Sequence, residues 1–363
     1  MINNDRYKLI GLMSGTSGDG LDLAFCSYEK NKQWEFEIIQ AATIPFPEKL
    51  GQSLQSAHLL DAESLEFLDI AFGTWMGQVV RDFCTRNAFQ PDAIASHGHT
   101  VFHRPEGGMT RQIGNGQALC EASGLPVIND FRILDVVLGG QGAPLVPIGD
   151  ALLFPDFDFA LNLGGIANIS MYTGGQRIAF DTCPFNLLLN HFSRKVGNTF
   201  DAGGNLAREG MVIPELLADL GQLPYYSLSG AKSLGREHIE ADFIPLLEKG
   251  THAIPDVLAT LIEHFADNIA GVIQHQENPG TNKKQLLITG GGAYNVFFIE
   301  KLSEKIGTYA NLTLPENEII DFKEALVFGF LGVLRLRGET NCLASVTGAS
   351  RDSCGGTVFG LFP

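Results

Sequence analysis

The chain has 363 residues, of which 45% are hydrophobic and 18% charged, and a formal net charge of −16. The length sets a prior of two domains, and the apolar content is ample for two cores. The acidic balance argues against nucleic acid or an anionic membrane as partner, but not against a phosphorylated ligand, because backbone N–H groups and a metal hold phosphates without a basic field.

The polar start Met1-Ile2-Asn3-Asn4-Asp5-Arg6 leads into a strand, so no signal peptide is expected. Strands are expected over 7–13 and 21–28. Between them lies Gly11-Leu12-Met13-Ser14-Gly15-Thr16-Ser17-Gly18-Asp19-Gly20-Leu21-Asp22. Gly15, Gly18 and Gly20 free the backbone for close approach to a ligand, and Ser14, Thr16 and Ser17 add hydroxyl donors. Consecutive turn N–H groups can form an anion-binding nest, and Asp19 and Asp22 beside a phosphate make sense if Mg²⁺ shares the site. The bland alternative is a hairpin turn, which needs only two such residues.

A strand over 34–41 precedes a helix over 62–86, where Leu65, Leu68, Phe72, Trp75, Met76, Val79 and Phe83 recur at spacings of three and four. Strands follow at 92–97 and 126–129. Ser96-His97-Gly98-His99-Thr100-Val101-Phe102-His103 invites a zinc reading, but no neighbouring carboxylates or thiols complete a site, and polar substrate contacts from a loop fit better. Arg132, in Phe131-Arg132-Ile133-Leu134-Asp135, is either half of a structural Arg–Asp pair or a bidentate partner for a substrate carboxylate.

The glycine-rich stretch 138–147 reads as a domain boundary, giving an N-terminal lobe over 1–145 and a C-terminal lobe over 146–363, with the last segment packing back toward the first lobe. Strands over 157–163 and 166–172, joined by Gly164-Gly165, loosely repeat the opening hairpin. Two β-hairpin-led α/β units imply two lobes facing an interdomain cleft, a favoured place for ligands. After a strand over 177–180, Asp181 stands at a strand end before Pro184, as a cleft acid or a helix cap. Phe200-Asp201-Ala202-Gly203-Gly204-Asn205 reads as a turn. Helices are expected over 185–196, 237–249, 255–276, 295–306 and 322–336, the last placing Glu324 in its first turn, and a strand over 285–289. Gly290, Gly291 and Gly292, ahead of Asn295, allow backbone approach to a flat or anionic group at a helix N-terminus, or simply a tight strand–helix connection.

No Gly-Lys dipeptide occurs, which excludes a Walker-type loop, and no G-x-G-x-x-G joins a strand to a helix. Cys26, Cys84, Cys120, Cys183, Cys342 and Cys354 are scattered without a C-x-x-C pair and read as reduced thiols of a cytoplasmic protein. No apolar run approaches the ~18 residues of a membrane span.

Taken together, the stretches from Gly11, Ser96, Gln112-Ile113-Gly114-Asn115-Gly116, Asn129-Asp130-Phe131-Arg132, Gly139–Leu145, Asn162–Asn168, Lys232-Ser233-Leu234-Gly235-Arg236-Glu237, Thr289–Asn295 and Val346-Thr347-Gly348-Ala349 resemble the anhydro-N-acetylmuramic acid kinases nearly end to end. The resemblance implies the two-lobed, duplicated ribonuclease-H-like fold of the actin and sugar-kinase ATPases. It implies Asp181 as catalytic base. The family usually continues that motif as Asp-Thr-Gly-Pro and a small residue, where this chain has Cys183 and Phe185. Asn190 stands where an acid is common, and His99 where a Gln is usual.

The implied reaction hydrolyses the 1,6-anhydro bridge of a recycled cell-wall sugar and phosphorylates O6, with ATP and Mg²⁺. Gly15, Thr16, Ser17, Gly18, Asp19, Gly20, Leu21, Asp22, Gly164, Gly165, Gly290, Gly291, Gly292 and Asn295 are then the nucleotide and phosphate candidates, with Asp19 toward the metal. His97, Thr100, Arg132 and Glu324 are the sugar candidates, Arg132 matched to the lactyl carboxylate. A homodimer is a family-level expectation. Two other classes stand beside this one: a sugar kinase acting on a free hydroxyl, and a non-catalytic ATP-dependent binding or chaperone module.

Overall fold

The computed structural model describes residues 5–14, 20–228, 232–276 and 283–360. It divides into two compact units, one of Met1–Phe154 with Phe322–Pro363, the other of Pro155–Asp321.

In the first unit, β1 (Arg6–Ser14), β2 (Gly20–Lys30) and β3 (Trp34–Pro45) form an antiparallel meander. On the far side of β1 lie β4 (Ala93–Ser96) and β7 (Val127–Asn129), both parallel to it. The strand Thr357–Phe359 adds antiparallel to β7. β5 (His99–Arg104) and β6 (Met109–Ile113) make a separate hairpin. β1 is covered on both faces, and its alternation separates them. Ile10 and Leu12 join the cluster around Phe72, Met76 and Val80 of the helix Ala62–Asn87. Gly11 meets the helix Asn317–Arg337, where a Cβ would stand 1.8 Å from the Ala325 carbonyl oxygen. No other residue permits that approach. Tyr28 fastens the same helix by donating to the Leu326 carbonyl at 2.6 Å.

In the second unit, β8 (Phe159–Leu163), β9 (Ile166–Thr173) and β10 (Gln176–Pro184) form the meander, with β11 (Lys284–Thr289) and β12 (Ala310–Thr313) parallel beside β8. The sheet orders β3-β2-β1-β4-β7 and β10-β9-β8-β11-β12 are the same, so each unit repeats a 3-2-1-4-5 sheet led by a hairpin. The helix Ile254–Gln274 supplies Leu258, Leu261, Ile262, Phe265 and Ile269 to the core beneath the second sheet.

Two expected helices differ. The region 237–249 is a short helix Arg236–His238, a π-turn Ile239–Phe243 and a turn Ile244–Leu247. Pro245 lacks the N–H that a continuous helix would use there. The last long helix begins at Asn317, not at 322, so Glu324 lies two turns inside it rather than in its first turn. Among the described residues no helix is long and apolar enough to cross a membrane.

Candidate active site

Asp181 sits near the end of β10, the edge strand of its sheet, opposite Asn168. The register shifts between Asp181 and Cys183, a bulge at Thr182, whose hydroxyl donates to the Ala167 carbonyl at 3.0 Å. Bulges of this kind re-aim a side chain at the end of a strand. Asp181 caps no helix. The amides of Asn186 and Leu187 donate instead to the carbonyls of Gly164 and Gly165, which ties the β8–β9 turn to the start of the helix Asn186–Arg194. Burial raises the Asp181 carboxyl to about 6, against the lowering effect of the Leu234 N–H, which donates to Oδ2 at 2.8 Å. A carboxyl poised there is ionised at neutral pH yet basic enough to take a proton.

The two departures beside Asp181 point into the core. Cys183 is fully buried, and burial pushes its thiol to about 12. Phe185 is also fully buried, packed against Phe265 at 5.3 Å and edge-on to Phe298 at 4.7 Å.

The glycines after β11 differ in their surroundings. Gly290 has φ +83°, and a Cβ there would lie 2.5 Å from Asn162 Oδ1. A Cβ on Gly292 would lie 2.4 Å from Phe185 Cε1. Both positions are closely packed and admit no side chain. At Gly291 a Cβ would meet nothing within 4 Å. Asn295 accepts from the Phe298 N–H at 3.0 Å, capping the helix Val296–Ile306. Asp201 fits the turn reading: its carboxylate accepts the N–H groups of Leu206 and Ala207.

In the first unit, Gly15, Thr16, Ser17, Gly18 and Asp19 lie outside the described residues. Gly20 and Leu21 open β2 and are buried. Asp22 follows them, accepting from the Thr43 hydroxyl at 2.6 Å.

His97 and Arg132 are brought together. The Arg132 Nε and Nη2 donate to His97 Nε2 at 3.0 and 2.8 Å, so the opposite ring nitrogen carries the proton and donates to the Gly98 carbonyl at 2.9 Å. Burial, then the Arg132 charge, hold the His97 imidazole well below the usual histidine range. Arg132 itself is lowered to about 10 by burial, offset by the Glu324 carboxylate. The Arg132–Asp135 pair is replaced by other contacts, with Asp135 accepting from the Gly142 N–H at 2.7 Å and the Thr347 hydroxyl at 2.7 Å. Thr100, on β5, accepts from Gln112 at 3.2 Å. His99 pairs with Ser14 and His103 with Thr110, each at 3.1 Å. Among the described residues no group of three His, Cys, Asp or Glu side chains is placed to hold a metal.

Sequence reasoning missed Tyr225 and the backbone of Lys232 and Leu234 around Asp181. The signal for the latter was the Lys232–Glu237 stretch, quoted for the family without a role.

Two copies of a hairpin-led 3-2-1-4-5 sheet, with a half-buried acid at a strand end, define a duplicated ribonuclease-H-like α/β protein of the sugar-kinase ATPase class. The family profile "Anhydro-N-acetylmuramic acid kinase" matches residues 7–360. The chain belongs to that family and is a phosphotransferase. It is 33% identical to the anhydro-N-acetylmuramic acid kinase of Hydrogenovibrio crunogenus, covering 99% of this chain and 100% of the relative. It is 35% identical to that of Xylella fastidiosa, covering 95% and 94%. Among solved structures, component A of the Acidaminococcus fermentans (R)-2-hydroxyglutaryl-CoA dehydratase aligns at a TM-score of 0.45 and 13% identity, over 88% of this chain and 95% of that one. Kinase activity places ATP among the ligands.

Proposed function

We propose that this chain opens 1,6-anhydro-N-acetylmuramic acid with water and phosphorylates O6, giving N-acetylmuramic acid 6-phosphate in murein recycling. The observation that carries the reading is the half-buried Asp181 carboxyl, aimed by the Thr182 bulge at the end of β10 and raised to about 6. As water attacks C1, Asp181 takes its proton, the half-reaction of an inverting glycosidase. The C1–O6 bond breaks, O6 receives the γ-phosphoryl group of ATP, and ADP leaves. No separate protein acid is needed, because the phosphoryl group takes up the charge on O6.

Phosphoryl transfer depends on alignment and charge neutralisation. Gly15 to Gly20, Gly164-Gly165 and the open face at Gly291 are the proposed nucleotide and phosphate contacts. Leu21 and Asp22 would support the first turn, and Asn295 would border the nucleotide through the helix it caps. Mg²⁺ is held largely by phosphate oxygens with one or two carboxylates and therefore needs no cluster of protein ligands. Asp19 is the proposed carboxylate, and the metal would neutralise phosphate charge.

Arg132 is the proposed partner of the lactyl carboxylate. His97 occupies its Nε–Nη2 edge and leaves the Nη1 end for a carboxylate. Thr100 and Glu324 are proposed for sugar hydroxyls. The acting species is proposed to be cytoplasmic and homodimeric.

The reaction in ¹⁸O-water with ATP, Mg²⁺ and the anhydro sugar tests this. Label at C1 with phosphate at O6 is expected, and Asp181→Asn abolishes both. Phosphate at O6 without label would replace the reading with an ordinary sugar kinase.

A further inference from the structure

The Lys232–Glu237 stretch has no part in the scheme above, yet its backbone is wrapped around Asp181. On an edge strand, the outward N–H and C=O of a residue have no neighbouring strand and ordinarily meet water. At Asp181 both are taken. Its N–H donates to the Lys232 carbonyl at 3.0 Å, and its carbonyl accepts from the Tyr225 hydroxyl at 2.6 Å. The carboxylate is held from the same side, with Leu234 N–H donating to Oδ2. Lys232 closes the arrangement, its ammonium 4.6 Å from the centre of the Tyr225 ring.

We infer that Tyr225 and the strap Lys232–Leu234 are positioning elements for the base: they fix Asp181 at three points and occupy Oδ2, which leaves Oδ1 as the oxygen that takes the proton from water. The inference rests on the reading of Asp181 as base.

The physical reason for such a clamp lies in the bulge. The register shift at Thr182 aims the Asp181 side chain but removes one residue's worth of regular pairing at the strand end. The lost constraint is restored from Tyr225, 44 residues away in sequence, and from Leu234, 53 residues away. A base displaced by a fraction of an ångström loses much of its rate advantage, so the restraint acts on turnover rather than on binding. The Leu234 N–H also stabilises the ionised form. The other titratable groups facing Asp181 are Tyr225, Cys183 and, toward Cys183, Lys232.

Two variants test the clamp in the full chain. Tyr225→Phe removes one hydroxyl and keeps the ring in its packing, and Leu234→Pro removes the N–H given to Oδ2. Each is expected to lower kcat roughly tenfold or more, with KM for the sugar and for ATP within about twofold. Leu234→Pro also moves the acidic limb of the kcat profile to higher pH, because a carboxylate that loses a donor is easier to protonate, whereas Tyr225→Phe, whose hydroxyl serves the Asp181 main-chain carbonyl, leaves the limb in place. An unchanged kcat in Tyr225→Phe overturns the clamp, as does a loss of kcat matched by an equal rise in KM for the sugar and for ATP, which marks a purely structural role. If Leu234→Pro does not fold, Tyr225→Phe decides alone. Asp181→Asn separates the two readings. An active Asp181→Asn enzyme removes the base itself, whereas an inactive one beside a normal Tyr225→Phe enzyme removes the clamp alone.

Discussion

Arg132 donates twice to a neutral His97, through Nε at 3.0 Å and Nη2 at 2.8 Å, and that pairing fixes which edge of the guanidinium remains for a ligand. His97 is 5% exposed, with both ring nitrogens engaged, so in the proposed sugar site it would act by orienting Arg132. A charge-assisted hydrogen bond is worth roughly 1.5–3 kcal/mol. Arg132→Ala is therefore expected to weaken kcat/KM for muramic-type substrates by about ten- to a hundredfold. Anhydro sugars lacking the lactyl group should lose far less. Equal losses for the two substrates, measured side by side, would remove the lactyl assignment.

The pH dependence follows from Asp181. Its folded value of about 6 means that kcat/KM falls as pH drops through 6, where the base becomes protonated. Stability moves the opposite way. The folded chain binds this proton more tightly than the unfolded chain does, so stability is lost as pH rises from about 4 to 6. Asp181→Asn should then be more stable than the parent at pH 7, on the order of 2 kcal/mol, with no difference at pH 3. Urea titrations at the two pH values measure this. A variant less stable at pH 7 contradicts the burial argument.

The glycines after β11 should separate in mutagenesis. Gly292→Ala brings a methyl group against Phe185 and Leu163 and is expected to cost about 1–3 kcal/mol in stability. Gly291→Ala meets nothing within 4 Å and should leave the melting temperature nearly unchanged while raising KM for ATP. A Gly291→Ala enzyme with parental KM would show that this segment does not border the nucleotide.

Lys323 and Asp150 form a salt bridge of 3.0 Å with side chains 3% and 4% exposed. Lys323→Met takes the ammonium from the buried Asp150 carboxylate and should destabilise by about 3–5 kcal/mol. Joint replacement with Asp150→Leu should recover most of that loss. Chemical denaturation of the two variants checks both statements, and a double variant no better than the single would refute the second.

Much of the fold was legible because periodicity is a local property. The hairpins at 7–28 and 157–172, the helix over 62–86 and the strand over 285–289 each carry their burial pattern in consecutive residues. The hairpin β5–β6 and the strands β12 and Thr357–Phe359 were not read from their sequence, since short elements are selected by neighbours they meet only after folding. The break at Ile239–Phe243 had a local signal in Pro245 that the apolar spacing masked.

Residue types and spacing by themselves set the α/β class and the repeated hairpin-led unit, and left Asp181 as either a cleft acid or a helix cap until the family resemblance singled it out. Tertiary structure decided what surrounds those residues. It assigned Gly292 to the Phe185 ring, paired Arg132 with His97 rather than with Asp135, and brought Tyr225 and Leu234 to Asp181. A backbone preference acts over a few residues and is written in them. A hydrogen bond spanning 44 or 53 residues depends on how the sheet edge and the segment beside it come together, and no local pattern encodes that.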